Sequence, residues 1–207
     1  MLWINSDDML HKHSLFTLAQ IFTDLPEVHW LTGGQVTYDE ESSSVGLLRS
    51  ISISKYHYFS GDFFWTLQEA SAWRIGLWER SGATLKTDKK LAGDFALWMR
   101  FFRHEKLYPV NALIGGFRKR RSGQLSHDAV TYRRECDELI ASEVGLLDQQ
   151  ESRVLTAIRR FYALRRLIRK LRIFNHPKLR HIAESRWYDL PSEILYNHVE
   201  KRFYLKK

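Results

Sequence analysis

An aspartate beside an apolar stripe is the residue of this sequence best placed to accept a proton. Four apolar residues, spaced 4, 3 and 4 positions apart, form the stripe: Leu91, Phe95, Trp98 and Phe102. This spacing predicts a helix over 91–102, with Asp94 in its first turn. A carboxylate beside an apolar wall can act as a general base. An acid at this position also caps free backbone N–H groups, and the spacing leaves both interpretations open.

Two adjacent carboxylates follow a short apolar run near the start of the sequence. Residues 1–4 are predicted to form a buried strand, and Asn5-Ser6-Asp7-Asp8 follows it directly. Acids after a strand of an open α/β sheet lie where such sheets bind ligands. Because the two acids repel each other, Mg²⁺ or Mn²⁺ would be favoured there and could bridge to a diphosphate. The same tetrapeptide also suits a turn and a helix N-cap.

Two further segments carry polar groups that could contact a ligand. Gln68-Glu69-Ala70-Ser71-Ala72-Trp73 is predicted to be a strand, whose polar residues either line a cleft or are simply solvated. Residues 117–126 are predicted to form a basic loop. Its arginines could hold a diphosphate with bidentate geometry, or form an ordinary basic surface.

The order of predicted elements indicates an α/β fold. Strands are expected at 1–4, 28–32, 36–38, 68–74 and 107–114, and helices at 12–24, 75–81, 91–102, 127–143, 151–173 and after Pro191. Gly33-Gly34 is expected to be a turn, and residues 49–58 a strand or extended loop. Alternation of strands and helices up to about residue 115 favours a sheet with flanking helices. We therefore divide the chain into a sheet part, 1–125, and an α-helical basic extension, 126–207.

Composition narrows the class of protein. The chain has 207 residues, of which 44% are hydrophobic and 27% charged, which is typical of a folded domain. The single cysteine, Cys136, excludes an internal disulfide and fits a reducing compartment. The sequence contains neither a long apolar run nor a signal pattern, so the expected location is cytoplasmic.

Positive charge is concentrated near the C-terminal end. The net charge is +8, and residues 152–183 hold ten Lys or Arg and no Asp or Glu. A core-facing stripe is predicted on this helix, formed by Ala157, Phe161, Leu164, Ile168 and Leu171. The basic face is then either solvated or in contact with an anionic membrane surface. Nucleic acid is a weaker candidate, because no nucleic-acid motif accompanies the charge.

Three ordered stretches together resemble the C-terminal part of a family 2 glycosyltransferase of the GT-A fold. They are 91–102, Lys106-Leu107-Tyr108 and Gly116-Phe117-Arg118. The resemblance extends over roughly residues 2–135, and Asn5-Ser6-Asp7-Asp8 is similar to a relaxed form of the family's Asp-x-Asp-Asp motif. The fold it implies is a partial GT-A, Rossmann-like mixed sheet with flanking helices, followed by the helical extension. The N-terminal nucleotide-binding half of such a fold is largely missing from this sequence.

The resemblance implies a role for each acid. Asp94 corresponds to the catalytic base of inverting enzymes in the family. Asp7 and Asp8 correspond to the acids that bind a divalent cation, Mg²⁺ or Mn²⁺, and the nucleotide-sugar donor. Two positions depart from the pattern: Asn5 stands where the motif has its first Asp, and Gly93 stands where many relatives have Glu.

The remaining candidates are assigned to the two substrates. Gln68, Glu69 and Trp73 would lie on the acceptor side of the cleft. Arg118 and Arg120 would hold the donor diphosphate in a mobile loop, where many relatives also have a His that is absent here.

The implied function is transfer of a sugar from a nucleotide-diphosphate-sugar donor to a hydroxyl acceptor. The acceptor would be a glycan or a lipid-linked molecule, in the synthesis of a cell-surface polysaccharide or glycan. The protein would act in the cytoplasm or at the inner membrane face, and would self-associate or need the missing nucleotide-binding half. The alternative is a non-catalytic module, derived from a glycosyltransferase, that binds a membrane or a partner through its basic helices.

Overall fold

The computed structural model describes residues 1–62, 65–85, 88–121, 124, 128–170 and 189–206. The helices are α1 (Ser14–Asp24), α2 (Lys55–Ser60), α3 (Ile75–Arg80), α4 (Gly93–Phe101), α5 (Ala129–Val144) and α6 (Gln149–Lys170). The strands are β1 (Met9–Leu10), β2 (Trp30–Tyr38), β3 (Ser44–Leu48), β4 (Ser71–Trp73), β5 (Tyr108–Arg118), β6 (Ile194–Asn197) and β7 (Arg202–Leu205). A single 3₁₀ turn, Gln68–Ala70, precedes β4.

A mixed open sheet organises these elements, which confirms the predicted α/β class. Its centre is the parallel pair β2 and β5, in register from Leu31 opposite Tyr108 to Tyr38 opposite Arg118. On the far side of β2, β4 pairs with its first half and β3 with its second half, both antiparallel. On the far side of β5, β1 pairs antiparallel with its end, and β6 pairs in parallel near its start, at Val110.

Gly33 and Gly34 lie inside β2, so the predicted turn at these residues is wrong. A Cβ atom on Gly33 would lie 2.3 Å from Cγ1 of Ile114, and one on Gly34 would lie 3.0 Å from Cδ2 of Leu113. The two glycines therefore allow β5 to approach β2 closely, which is one established use of glycine within a strand.

Two apolar clusters cover the two sides of the sheet. The larger cluster packs α4 against the sheet and against α5 and α6, and includes Trp30, Trp98, Phe101, Cys136 and Ile158. The smaller cluster lies under α1 and includes Ile21, Val28, Val110, Ile114 and Ile194. Elements before and after residue 125 therefore contribute to the same cores.

The segment after Pro191 is a β-hairpin, so the expectation that it is helical is wrong. β6 and β7 pair antiparallel from Ile194 opposite Leu205 to Asn197 opposite Arg202. Ile194 is fully buried in the cluster under α1, and Phe203 packs there as well. Burial of these side chains on the sheet outweighs the helix-start signal that proline gives.

Three other expectations change. Residues 1–4 do not form a regular strand: Leu2 makes a single antiparallel bridge with Ala72. Within 49–58, residues 55–58 open the helix α2 and are not extended. On α6, Leu155 and Ile158 face the core whereas Ala157 is exposed, so the predicted stripe is displaced. The Leu164 and Ile168 side chains, and residues 171–183 of the basic run 152–183, which include Leu171, lie outside the described residues.

Candidate active site

Asp94 lies in the first turn of α4, as the apolar spacing predicts. Its Oδ1 accepts the backbone N–H of Phe95 at 2.7 Å, and the Tyr132 hydroxyl donates to both carboxylate oxygens at 3.2 Å each. Burial raises the pKa of Asp94 to about 6, while the Phe95 and Tyr132 hydrogen bonds oppose that rise. A carboxylate with a pKa close to neutral has the basicity that general-base catalysis requires.

The segment that leads into α4 is held by a different acid. Glu135 of α5 accepts the N–H groups of Lys90, Leu91 and Ala92 at 3.0, 2.9 and 2.9 Å. Asp94 accepts one N–H at this end, that of Phe95. Lys90 and Leu91 precede the helix and Ala92 is its N-cap, so Glu135 fixes the entry to α4 while Asp94 accepts an N–H within the first turn, and both interpretations of Asp94 stay open.

Glu135 should make the stability of the protein depend on acidic pH. Burial tends to raise the pKa of Glu135, but its three N–H bonds hold it below the ordinary value. Stability from a group with a lowered folded-state pKa is present above the unfolded-state pKa and is lost as pH falls through the folded-state pKa. We expect Glu135→Gln to lower the melting temperature at neutral pH. The difference in melting temperature between the variant and wild type should become smaller as pH falls below about 4. If this difference in melting temperature stayed constant between pH 3 and pH 7, the ionised Glu135 carboxylate would not be its cause.

Asp7 and Asp8 are brought beside the end of β5 by the short strand that follows them. Met9 pairs with Gly116, which places Asp8 next to Arg118. Oδ1 of Asp8 accepts the backbone N–H of Arg118 at 2.9 Å, and its Oδ2 accepts the Asn5 amide at 3.0 Å. Asp7 forms an ion pair with Arg120, with 2.9 Å between Oδ2 and Nη2.

Glu69 interacts electrostatically with both Asp8 and Asp94. Glu69 is only 7% exposed, and burial raises the pKa of its carboxyl group well above the ordinary value. The negative charges of Asp8 and Asp94 add to this rise, and Glu69 hydrogen bonds with Asp8. Burial raises the pKa of Glu69 to about 8, which favours its protonated form at neutral pH. Next to it, Gln68 donates to Oδ1 of Asn5 at 3.1 Å.

A glycine of β5 allows the Glu69 segment to lie directly on the sheet. A Cβ atom on Gly115 would lie 2.5 Å from both the carbonyl carbon and the carbonyl oxygen of Glu69, and 2.7 Å from the nitrogen of Ala70. Such distances are too short for any side chain, so the position of Glu69 depends on glycine at 115.

Trp73 does not lie with the other predicted substrate residues. It is 2% exposed, and its ring packs against Trp98 at 5.6 Å and Phe101 at 5.4 Å between centroids. The expected contact of Trp73 with a substrate is corrected to a structural role, because its ring is enclosed in the larger apolar cluster.

The two candidate arginines differ in how they are held, and the predicted loop begins later than expected, because Phe117 and Arg118 are the last residues of β5. Nη2 of Arg120 is engaged with Asp7. Nε of Arg118 is buried and makes no hydrogen bond within the described part of the chain. A buried guanidinium N–H without a partner is costly, and an anionic ligand would supply that partner.

Sequence reasoning missed Tyr132 and Glu135, which contact α4 from α5. Both lie in the segment assigned to a separate extension, so a link to Asp94 was not expected. The available signal was a helical face on α5, formed by Tyr132, Glu135, Cys136 and Leu139 at spacings of 3, 1 and 3.

The metal expectation has limited support from the residues present. Among the described residues, no group of three or more His, Cys, Asp or Glu side chains could hold a metal ion. Both Asp8 oxygens already accept hydrogen bonds, whereas one Asp7 oxygen is engaged by Arg120. Mg²⁺ is commonly held by one or two carboxylates together with substrate phosphates. Asp7, with Asp8 beside it, suits a Mg²⁺ ion that is also bound by substrate phosphates. It does not suit an ion bound by protein ligands alone.

The chain matches no known protein-family model, and no curated protein matches it. In the described residues, no helix is long and apolar enough to cross a membrane.

Proposed function

We propose that this protein is an inverting glycosyltransferase that uses a nucleotide-diphosphate-sugar donor and a hydroxyl acceptor. The observation that carries the proposal is the convergence of three chain segments on one group of acids. Asp8, Glu69 and Asp94 are far apart in sequence, yet Glu69 interacts electrostatically with both of the others. Buried carboxyl groups with raised pKa values, as Glu69 and Asp94 have, are typical of sites that move protons.

Asp94 is the base of the proposed reaction. It accepts the proton of the acceptor hydroxyl as that oxygen forms a bond to the anomeric carbon of the donor sugar. The bond from this carbon to the diphosphate oxygen breaks, and the diphosphate leaves with the electron pair, so the anomeric configuration inverts. Tyr132 donates to both Asp94 oxygens and so holds the carboxylate in a fixed orientation.

The other charged residues hold the donor. Arg118 and Arg120 neutralise the diphosphate, with the buried Nε of Arg118 as one donor. Asp7 and Asp8 would share a Mg²⁺ or Mn²⁺ ion with the diphosphate, and that ion would offset charge on the leaving group. Glu69 interacts with both Asp8 and Asp94, and together with its neighbour Gln68 it would orient the acceptor.

The cellular setting remains part of the proposal. A glycan or lipid-linked acceptor, action at the cytoplasmic membrane face and association with a nucleotide-binding half follow from the family resemblance. They would place the basic segment 152–183 toward an anionic surface.

A metal-dependent binding experiment tests the donor side. Mn²⁺ binding is measured by titration calorimetry with and without uridine or guanosine diphosphate. Because the ion needs phosphate oxygens as well as Asp7, we expect binding only when a nucleotide is present, and at least about tenfold weaker binding in Asp7→Asn.

Asp137→Asn is the matched control for this experiment. Asp137 also pairs with an arginine, at 2.9 Å from Nε of Arg133, but it lies on the exposed face of α5. Its replacement should leave Mn²⁺ and nucleotide binding unchanged. Equal affinities in wild type and Asp7→Asn would remove Asp7 from the donor site.

A further inference from the structure

Arg120 is bound to the carboxylate that the proposed cation would need. Nη2 of Arg120 lies 2.9 Å from Oδ2 of Asp7, and the two side chains are 44% and 22% exposed. Because both are partly exposed, the pair is weak enough for either side chain to exchange its partner. A guanidinium and a divalent cation at one carboxylate oxygen would also repel each other. Arg120 and a cation at this oxygen therefore compete for Asp7.

The backbone on either side of Arg120 is held, so an exchange of partners needs only its side chain to move. The Lys119 N–H donates to the carbonyl of Tyr38 at 2.8 Å, which continues the pairing of β5 with β2. The Arg121 N–H donates to Oε1 of Glu40 at 3.0 Å. An arginine side chain has several rotatable bonds, so it can turn between two such anchors without displacing the backbone.

A diphosphate is a stronger partner for Arg120 than Asp7 is. Asp7 offers one negative charge, whereas a diphosphate carries more than one and presents pairs of oxygens that match the guanidinium group. When a nucleoside diphosphate lies beside Asp7, the favoured partner of Arg120 is therefore the diphosphate. The Asp7 oxygen that Arg120 leaves is then free to bind a cation.

We propose that Arg120 is a switch that couples cation binding to donor binding at Asp7. This inference rests on the proposed glycosyltransferase function, and it assigns a form of regulation to the donor site. While Arg120 is paired with Asp7, the cation binds weakly. A nucleoside diphosphate draws Arg120 away, and Asp7 and the phosphate oxygens then bind the cation together. Because such coupling is reciprocal, the cation raises nucleotide affinity by the same factor.

Titration calorimetry with Mn²⁺ alone tests the competition at Asp7 in the full chain. We expect Arg120→Gln to bind Mn²⁺ at least about fivefold more tightly than wild type, because the variant has neither the ion pair nor the repelling charge. Arg120→Lys keeps the positive charge and should resemble wild type. If Arg120→Gln binds Mn²⁺ no more tightly than wild type, the proposal is overturned.

The same titrations in the presence of uridine diphosphate test the coupling. The measured quantity is the ratio of the Mn²⁺ affinities with and without the nucleotide. This ratio should be at least about fivefold smaller in Arg120→Gln than in wild type, because glutamine does not block Asp7 and does not pair with the diphosphate. An equal ratio in the two proteins would mean that Arg120 does not couple the two ligands.

Arg121→Gln is the matched control, because it removes the same charge from the next residue. The guanidinium of Arg121 pairs with Glu40 and Glu41, at 3.4 and 3.7 Å, and not with Asp7. Its replacement should change Mn²⁺ affinity by less than about twofold. If Arg121→Gln strengthens Mn²⁺ binding as much as Arg120→Gln does, the effect is one of net charge and the switch is rejected.

The switch and the proposed function can fail separately. If coupling falls in Arg120→Gln but the wild-type protein transfers no sugar, the switch is retained and the transferase is rejected. If wild type transfers sugar and coupling is unchanged in Arg120→Gln, the transferase is retained and the switch is rejected. When both are correct, Arg120→Gln should bind Mn²⁺ alone more tightly and have a higher KM for the donor.

Discussion

Replacing Asp94 by asparagine is expected to lower sugar transfer by about 10²–10⁴-fold while the fold is kept. Asparagine has the shape of aspartate but cannot accept the acceptor proton. Donor binding should change little, because the donor is held by Asp7, Asp8 and the arginines. In wild type, the rate should rise as pH increases through about 6, because the base must be ionised and the pKa of Asp94 is about 6. Single-turnover rates and donor affinities measured between pH 4 and pH 8 check both expectations.

Thermal melting separates the base from a capping residue. Since burial raises the pKa of Asp94 in the folded state, its ionised form costs stability at neutral pH, and Asp94→Asn should not lower the melting temperature. A residue whose main role is at the helix start would instead lose up to about 1 kcal/mol of unfolding free energy with normal turnover, because asparagine keeps the capping bond but loses the charge that interacts with the helix dipole. Asp128→Asn is the matched control, because Asp128 caps α5 through the N–H of Thr131. Turnover of Asp94→Asn within about threefold of wild type would mean that the base is another residue.

Gly115→Ala is expected to disturb both stability and the site. The added methyl group would lie 2.5 Å from the backbone of Glu69, so either β5 or the Glu69 segment must move. Overpacking of this kind typically costs about 1–3 kcal/mol. For a protein of this size, that is a fall in melting temperature of about 2–4 °C for each kcal/mol. Transfer activity should fall as well, because displacement of Glu69 separates Asp8 from the Asp94 side.

Gly46→Ala provides the comparison within the same sheet. Gly46 lies in the exposed strand β3, and a Cβ atom there would be 3.6 Å from its nearest neighbour, Cβ of Thr37, which is an ordinary contact. Its replacement should change the free energy of unfolding by less than about 0.5 kcal/mol and leave activity intact. If Gly115→Ala behaves like Gly46→Ala, the close approach of Glu69 to β5 is not needed for the site.

Residues whose environment is set within one helix were predictable. The 91–102 spacing predicted α4 and placed Asp94 in its first turn, and both are confirmed. The helices α1 and α3 were likewise predicted from local periodicity and stop signals. Such patterns depend on neighbours three or four positions away, and those neighbours are given by the sequence.

Elements that depend on long-range packing were not predictable. Gly33-Gly34 has the composition of a turn, but close contact with β5 keeps it within a strand. The hairpin after Pro191 forms because Ile194 and Phe203 find an apolar surface under α1, more than 150 residues away in sequence. A local pattern does not contain that surface.

The sequence by itself determined the candidate acids: Asp7, Asp8, Glu69 and Asp94 are all residue types that bind cations or move protons. The tertiary structure decided their chemical states, because each state depends on groups from distant segments. The pKa of Glu69 is raised because the fold buries it beside Asp8, and the pKa of Asp94 is raised because α4 and α5 enclose it beside Tyr132. Desolvation and the approach of distant charges are properties of the packed chain, and so only the fold could separate a proton donor from a proton acceptor among these acids.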